Sequence, residues 1–286
     1  MKTLKQYFQE AVSGKWAIGH FNFSTADQLK AFVEAAAEVK SPIMVGTSEG
    51  EADFVGREQA VALVKSYQNE GYTVFLNADH HKSWETIKAA IDTGYDTVLI
   101  DASKLPFEEN IELTKRVVEY AKSINPEILV EGELGYLRGS SEVQEKIEIS
   151  QADYTKPEEA ADFVARTGVD RLAVVFGNIH GIVTEQEEHL DIGHLKKIVQ
   201  AVPETPLVLH GASGLPADEI KMAIQNGIAN VHINTELRVA YHDTLHEELE
   251  KEPKETTPYK YLKPSYEEMK RMIKKYLELF GSVGKI

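Results

Sequence analysis

The sequence contains no cysteine. Disulfides and thiolate metal ligands are therefore excluded, and a reducing cytoplasm is the expected compartment. Positive charge is scarce: 31 Lys and Arg face 46 Asp and Glu, a formal net charge of −15. Nucleic acid and anionic membrane surfaces attract basic patches, so neither is expected as a partner. Any phosphate must then be held locally, by backbone N–H groups, helix N-termini or a bound cation. Long hydrophobic runs are missing as well. The opening MKTLKQYFQEAVSG reads as a short amphipathic helix without the apolar centre of a signal peptide, and no later run reaches the length of a membrane span. No low-complexity segment or repeat stands out.

What is present is a rhythm. Apolar, β-branched runs recur at 16–23, 42–48, 73–79, 97–103, 127–134, 171–177, 206–211 and 230–236. Segments with helical spacing lie between them, several ending at a Gly two or three residues before the next run. Near-continuous apolar strands alternating with helices indicate a parallel sheet covered by helices. Eight such units count out a (β/α)8 barrel, with a doubly wound open sheet as the other arrangement that periodicity allows. Two further helices follow the eighth strand, separated by the loop-like PKETTPYKYLKP, and the whole chain, 1–286, reads as one domain. The polar stretch 135–155 breaks the short-loop rhythm and is expected to be a mobile, lid-like loop.

In a parallel barrel the active site lies at the C-terminal strand ends, and the out-of-place polar residues cluster there. Strand three ends in Asp79-His80-His81, strand four in Asp101-Ala102-Ser103, and strand five carries Glu131-Gly132-Glu133. Strand six leads into Asn178-Ile179-His180-Gly181, strand seven into His210-Gly211-Ala212-Ser213, and strand eight carries His232, Asn234 and Thr235. Three strand ends thus offer an imidazole: His80 or His81, His180 and His210. Three protein ligands with an open position are the usual catalytic zinc arrangement. Asp79 is either a carboxylate that orients an imidazole or a general acid/base. Asp101 and Glu133 are either interior acids with cationic partners or oxygen ligands for a harder cation. The glycines at 181, 211 and 214, with Ser213, suit close backbone approach to a phosphate.

In this order the motifs resemble the class II, metal-dependent fructose-bisphosphate and tagatose-bisphosphate aldolases. The resemblance runs from GHFNFS and TSEGEADFVG through DHH, IDAS, VEGELG, GNIHG and LVLHGASGLP to INTELR and the terminal LFGSVGK. It implies a lyase that cleaves a ketose 1,6-bisphosphate to dihydroxyacetone phosphate and glyceraldehyde 3-phosphate, as a homodimer or homotetramer. It implies His80, His180 and His210 as Zn2+ ligands, with Asp101 and Glu133 at an alternate cation site. Asp79 becomes the acid/base at the C4 hydroxyl. Gly181, Gly211, Ala212, Ser213, Asn234 and Thr235 hold phosphate, with a monovalent cation (Na+ or K+) nearby. Asn22 and Ser48 line the cleft, and His81 is an ordinary loop residue. A second proton-transfer acid comes from the loop 135–155, with Glu142 first and Glu145 second.

One departure stands out. Where this family usually carries an Asn that hydrogen-bonds the substrate near its carbonyl, strand eight has His232, which the resemblance places among the substrate-binding residues, so activity on the usual bisphosphates is expected to be reduced or redirected. A lyase for another phosphorylated keto-sugar or sugar acid, a non-catalytic phosphosugar binder and a metal-assisted hydrolase are the competing readings.

Overall fold

In the computed structural model, which describes residues 2–186 and 188–286, eight strands close into one ring. Around it run β1 (Ile18–Asn22), β2 (Ile43–Thr47), β3 (Val74–His81), β4 (Thr97–Ile100), β5 (Leu129–Leu134), β7 (Arg171–Val174), β9 (Leu207–Leu209) and β10 (Ile228–Ile233). Every neighbouring pair is parallel, and β1 pairs with β10 to complete the circle. The closed barrel replaces the open-sheet alternative. Helices α2 (Ala26–Glu38), α4 (Arg57–Asn69), α5 (Trp84–Thr93), α6 (Phe107–Ile124), α7 (Pro157–Thr167), α8 (Ile192–Ala201) and α9 (Ala217–Gln225) lie between strands. The chain ends in α10 (Thr235–Lys251), α11 (Pro258–Tyr261) and α12 (Lys263–Leu279), with α12 packed on α2 and α10.

Side chains alternate across a strand, so each barrel strand faces two environments. Outward residues such as Val45, Ala78, Val98, Val130, Leu172, Leu209 and Ile233 join the helices in the large apolar core. Inward residues change character with height. At the N-terminal end Ile18, Met44, Phe75, Leu129 and Ala229 form an apolar floor sealed by Leu4, Tyr7 and Phe8 of α1 (Leu4–Gly14). Above it Arg171 is fully buried: its Nε lies 2.9 Å from Glu131 Oε2, and its Nη2 donates to Thr97 Oγ1 at 2.8 Å.

Three expectations change. The segment 135–155 is not a plain loop but carries secondary structure for part of its length: β6 (Gly139–Gln144) pairs in parallel with β8 (His180–Val183), and a 3-10 turn covers Gln151–Asp153. A polar strand without apolar alternation shows itself only through its partner. A helix not anticipated, α3 (Glu49–Val55), starts at a capping box between Ser48 and Glu51. The last barrel strand ends at Ile233, so Asn234 caps α10 and Thr235 belongs to that helix.

Candidate active site

A kink in β3 explains how two consecutive residues face the same cavity. Ala78 pairs with Val98 and His81 with Ile100, so Asp79 and His80 together oppose one residue of β4. His80 takes the left-handed conformation, φ 47°, which costs a non-glycine residue about 1 kcal/mol or more. This bulge turns Asp79 and His80 both toward the barrel mouth and sends His81 outward. His81 is therefore not a loop residue. It is the fully buried end of β3, held neutral by burial near Glu49 and Arg57.

The predicted histidines converge. The His80 ring centroid lies 4.9 Å from that of His180 and 4.6 Å from that of His210. His80 presents Nδ1 to Asp101 Oδ2 at 3.1 Å and to Glu133 Oε2 at 3.4 Å, while His210 Nε2 lies 2.8 Å from Glu131 Oε1. A metal-binding imidazole usually hands its second nitrogen to a carboxylate, and both rings do this. Burial alone would lower the His80 pKa, but Asp79, Asp101 and Glu133 outweigh it and hold it up at about 10. The same carboxylates favour a cation in the proton's place. His180, by contrast, is kept neutral by burial and by the two neighbouring imidazoles, down to about 3. Burial and Asp101 push Glu133 up to about 8, whereas His80 and Ser103 keep Asp101 ionised against its burial. Among the described residues Asp79/His80/His210 and His80/Asp101/Glu133 are sets whose donor atoms all lie within 4.8 Å of one another. His180 lines the same cavity but belongs to no such set, so joining His80 and His210 on one ion requires its donor nitrogen to come closer to theirs.

Asp79 is buried and receives one contact on each oxygen. Asn22 Nδ2 donates to Oδ2 at 3.0 Å, and His232 Nδ1 lies 3.3 Å from Oδ1. Burial would raise its pKa, but His80, His232 and His20 hold it well below the usual carboxylate range. The same Asn22 amide also donates to Glu51 Oε2 at 2.8 Å, and burial pushes the Glu51 carboxyl up. Ser48 spends its hydroxyl on the α3 cap and its N–H on Glu51, yet it still lines the cleft.

One small cavity of about 20 Å³ is lined by Asn22, Asp79, His80, His180, Gly181, His210, Gly211, Ser213, His232, Asn234 and Thr235. It thus gathers most of the site residues singled out in the sequence, while Ser48, Asp101 and Glu133 line the wider cleft beside it. Ala212, flanked in sequence by two of the lining residues, is buried in the large apolar core and does not line the cavity. Gly211, at φ 67°, has no room for a side chain, since a Cβ there would lie 1.8 Å from the Ile179 carbonyl oxygen. A wider cleft of about 750 Å³ opens beside it, with Glu49, Glu51, Asp101 and Glu133 among its walls and Lys82, Lys104 and Arg238 among its cations.

Glu142 is not in this cavity. On β6 it is Ser141 that turns inward, its Oγ 3.0 Å from Thr235 Oγ1, with Arg238 donating to the Ser141 carbonyl. Glu142 is exposed on β6, and Glu145 is exposed as well. Sequence reasoning gave no role to His20, to Asn77, to Glu131, which it named at the end of strand five, or to Glu51. Parity was the available signal for the first three, because each stands two residues from a singled-out neighbour and shares its face: His20 with Asn22, Asn77 with Asp79, Glu131 with Glu133.

Behind the His180 segment, buried Glu188 accepts from the Ile179 N–H at 2.9 Å, and burial pushes its carboxyl up to about 8. A raised folded pKa means stability that is complete below the unfolded value near 4.5 and lost as pH rises through 8. Glu188→Gln keeps the acceptor oxygen without the charge. Its Tm is expected to match wild type near pH 4.5 and to exceed it by about 2–5 °C at pH 9. Thermal melts at the two pH values check this; an equal difference at both would contradict it.

The geometry meets known proteins at this point. A profile of the class-II fructose-bisphosphate aldolase family matches residues 2–285. The chain is 37% identical to the fructose-bisphosphate aldolase of Geobacillus stearothermophilus, across 99% of this chain and 98% of that one. It is 36% identical to the D-tagatose-1,6-bisphosphate aldolase subunit GatY of Klebsiella oxytoca, across 95% and 94%. The crystal structure of the YdjI aldolase from Escherichia coli superposes with a TM-score of 0.85 at 34% identity, covering 99% of this chain and 98% of that one. That family is metal-dependent, and the His, Asp and Glu side chains gathered at this barrel mouth can hold a metal. From residue 2 to residue 285, this chain is a member of the class-II fructose-bisphosphate aldolase family.

Proposed function

We propose that this chain is a zinc-dependent aldolase that cleaves a ketose 1,6-bisphosphate, of fructose or tagatose, into dihydroxyacetone phosphate and glyceraldehyde 3-phosphate, and runs the reverse condensation. The observation that carries this reading is the pairing of His80 and His210, each with one nitrogen on a carboxylate, around a cavity that also admits His180 and Asp79. Here His80, His180 and His210 hold the metal, with Asp101 and Glu133 as a second set of donors. Zinc, when bound, supplies a Lewis acid that polarises the C2 carbonyl.

The protein's own groups do the rest. As the C3–C4 bond breaks, its electron pair moves toward the C2 carbonyl oxygen, and the C4 hydroxyl proton passes to Asp79. Asn22 fixes one carboxylate oxygen and His232 faces the other, so the accepting lone pair is oriented in advance. Gly181, Gly211, Ala212, Ser213, Asn234 and Thr235 bind the phosphate of the dihydroxyacetone portion, assisted by a monovalent cation, while Asn22 and Ser48 border the rest of the substrate. Lys82, Lys104 and Arg238 supply positive charge along the wider cleft. Proton transfer by Glu142 would require its exposed carboxylate to swing into the cleft that Ser140 and Ser141 line. The whole chain acts as one domain, in a cytoplasmic homodimer or homotetramer.

A coupled assay for triose phosphate release, with and without EDTA, tests the reading. Cleavage is expected, and chelation should lower it about a hundredfold, with zinc restoring it. Cleavage that ignores EDTA would rule out the metal mechanism.

A further inference from the structure

Of the two imidazoles beside Asp79, His232 has only the role of facing its carboxylate, and His20 has none. His20 on β1 and His232 on β10 are register partners in the pair that closes the barrel. Their rings stack with centroids 3.7 Å apart and planes 9° from parallel, both buried. Gly46 on β2 makes the room, since a Cβ there would lie 2.4 Å from Cε1 and 2.5 Å from Nε2 of His20.

Hydrogen bonding fixes how each ring is turned. Asn77 Oδ1 accepts from Arg171 Nη2 at 3.2 Å, so its amide nitrogen donates to His20 Nε2 at 3.1 Å. Asn230 Nδ2 donates to the Ile18 carbonyl at 2.8 Å, so its Oδ1 accepts from His232 Nε2 at 3.2 Å. With its N–H so committed at Nε2, the His232 ring, kept neutral by burial, sets its Nδ1 edge 3.3 Å from Asp79 Oδ1 as a packing contact and not as a hydrogen bond. His20, Asp79 and His232 also present donor atoms within 4.8 Å of one another, a trio that elsewhere would suggest a cation site. The stack argues against that. A metal binds imidazole in the ring plane, along the nitrogen lone pair, and two parallel stacked rings cannot both aim at one ion.

We propose that His20 is a positioning residue for Asp79, acting through His232. The stack and the Asn77 bond hold the His232 ring edge-on to the carboxylate. Asn22 then holds Oδ2 by a hydrogen bond, and the His232 edge packed against Oδ1 limits how far the carboxylate plane can rotate. The inference rests on the proton-transfer role proposed above for Asp79.

The test uses the zinc-loaded enzyme, with His20→Ala, His20→Phe, His232→Ala and the His20→Ala/His232→Ala double variant. Retro-aldol kinetics with fructose 1,6-bisphosphate, metal content and a crystal structure of each single variant are the readouts. His20→Ala should lower kcat about tenfold with KM within about twofold and full metal content, the signature of a misaligned reacting group. His20→Phe, which keeps a stacking face, should stay within about threefold of wild-type kcat. On the His232→Ala background, His20→Ala should cost less than about twofold more, because its effect travels through His232. Wild-type kcat in His20→Ala, an effect on KM alone, or full additivity of the two substitutions would each overturn the proposal. If the wild-type enzyme cleaves no ketose bisphosphate, the reaction assigned above fails, and the His20→Ala crystal structure still decides this point. A His232 ring displaced from Asp79 supports positioning; an unmoved ring and carboxylate refute it.

Discussion

Asp79→Asn lowers kcat for ketose bisphosphate cleavage by about a thousandfold, within the range for loss of a positioned acid/base, while zinc content stays unchanged. The substitution keeps the shape and one acceptor oxygen, so the Asn22 contact can persist. What disappears is the anionic oxygen that takes the C4 hydroxyl proton. Asp79 suits this task because His80, His232 and His20 keep it ionised despite burial. It also suits it because the β3 bulge places it beside the proposed metal ligand His80. Steady-state kinetics with metal analysis checks the result. A variant within tenfold of wild type would move the proton-transfer role to another residue.

The second large effect falls on stability. Arg171→Met leaves the Glu131 carboxylate buried without its cation, a change that typically costs about 3–5 kcal/mol. For a chain of this size that corresponds to a Tm lower by roughly 10 °C. The Arg171 guanidinium holds Glu131 ionised against burial, and Glu131 in turn meets His210. The damage should therefore reach the metal centre as well as the core. In Arg171→Met/Glu131→Gln neither charge is left alone, and part of the lost Tm should return. Thermal melts of both variants decide this. A single variant as stable as wild type would mean that Glu131 finds another partner or a proton.

Much of this was legible in the chain itself, for identifiable reasons. Strand ends in a parallel barrel are also site positions, so Asp79, His80, Asp101, Glu133, His180 and His210 stood out as polar residues closing apolar runs. Gly211 was readable because a backbone carbonyl presses where its side chain would be. The loop acid was not readable. Glu142 and Ser141 are adjacent, and only the pairing of β6 with β8 decides which of them turns inward. The helix carrying Glu51 is seven residues long, too short for periodicity, although its capping box at Ser48 and Glu51 was visible.

Composition and order alone determined that this is an acidic, cysteine-free α/β chain with imidazoles and carboxylates at successive strand ends, because those properties reside in the residues and their spacing. Tertiary structure decided the rest. The bulge at His80 put two consecutive side chains on one face, which no alternating pattern predicts. Closure of the ring laid the first strand beside the last and stacked His20 on His232 across 212 positions of sequence. Spacing along a chain cannot express that contact, since it exists only once eight strands have curled far enough for the two edges to meet.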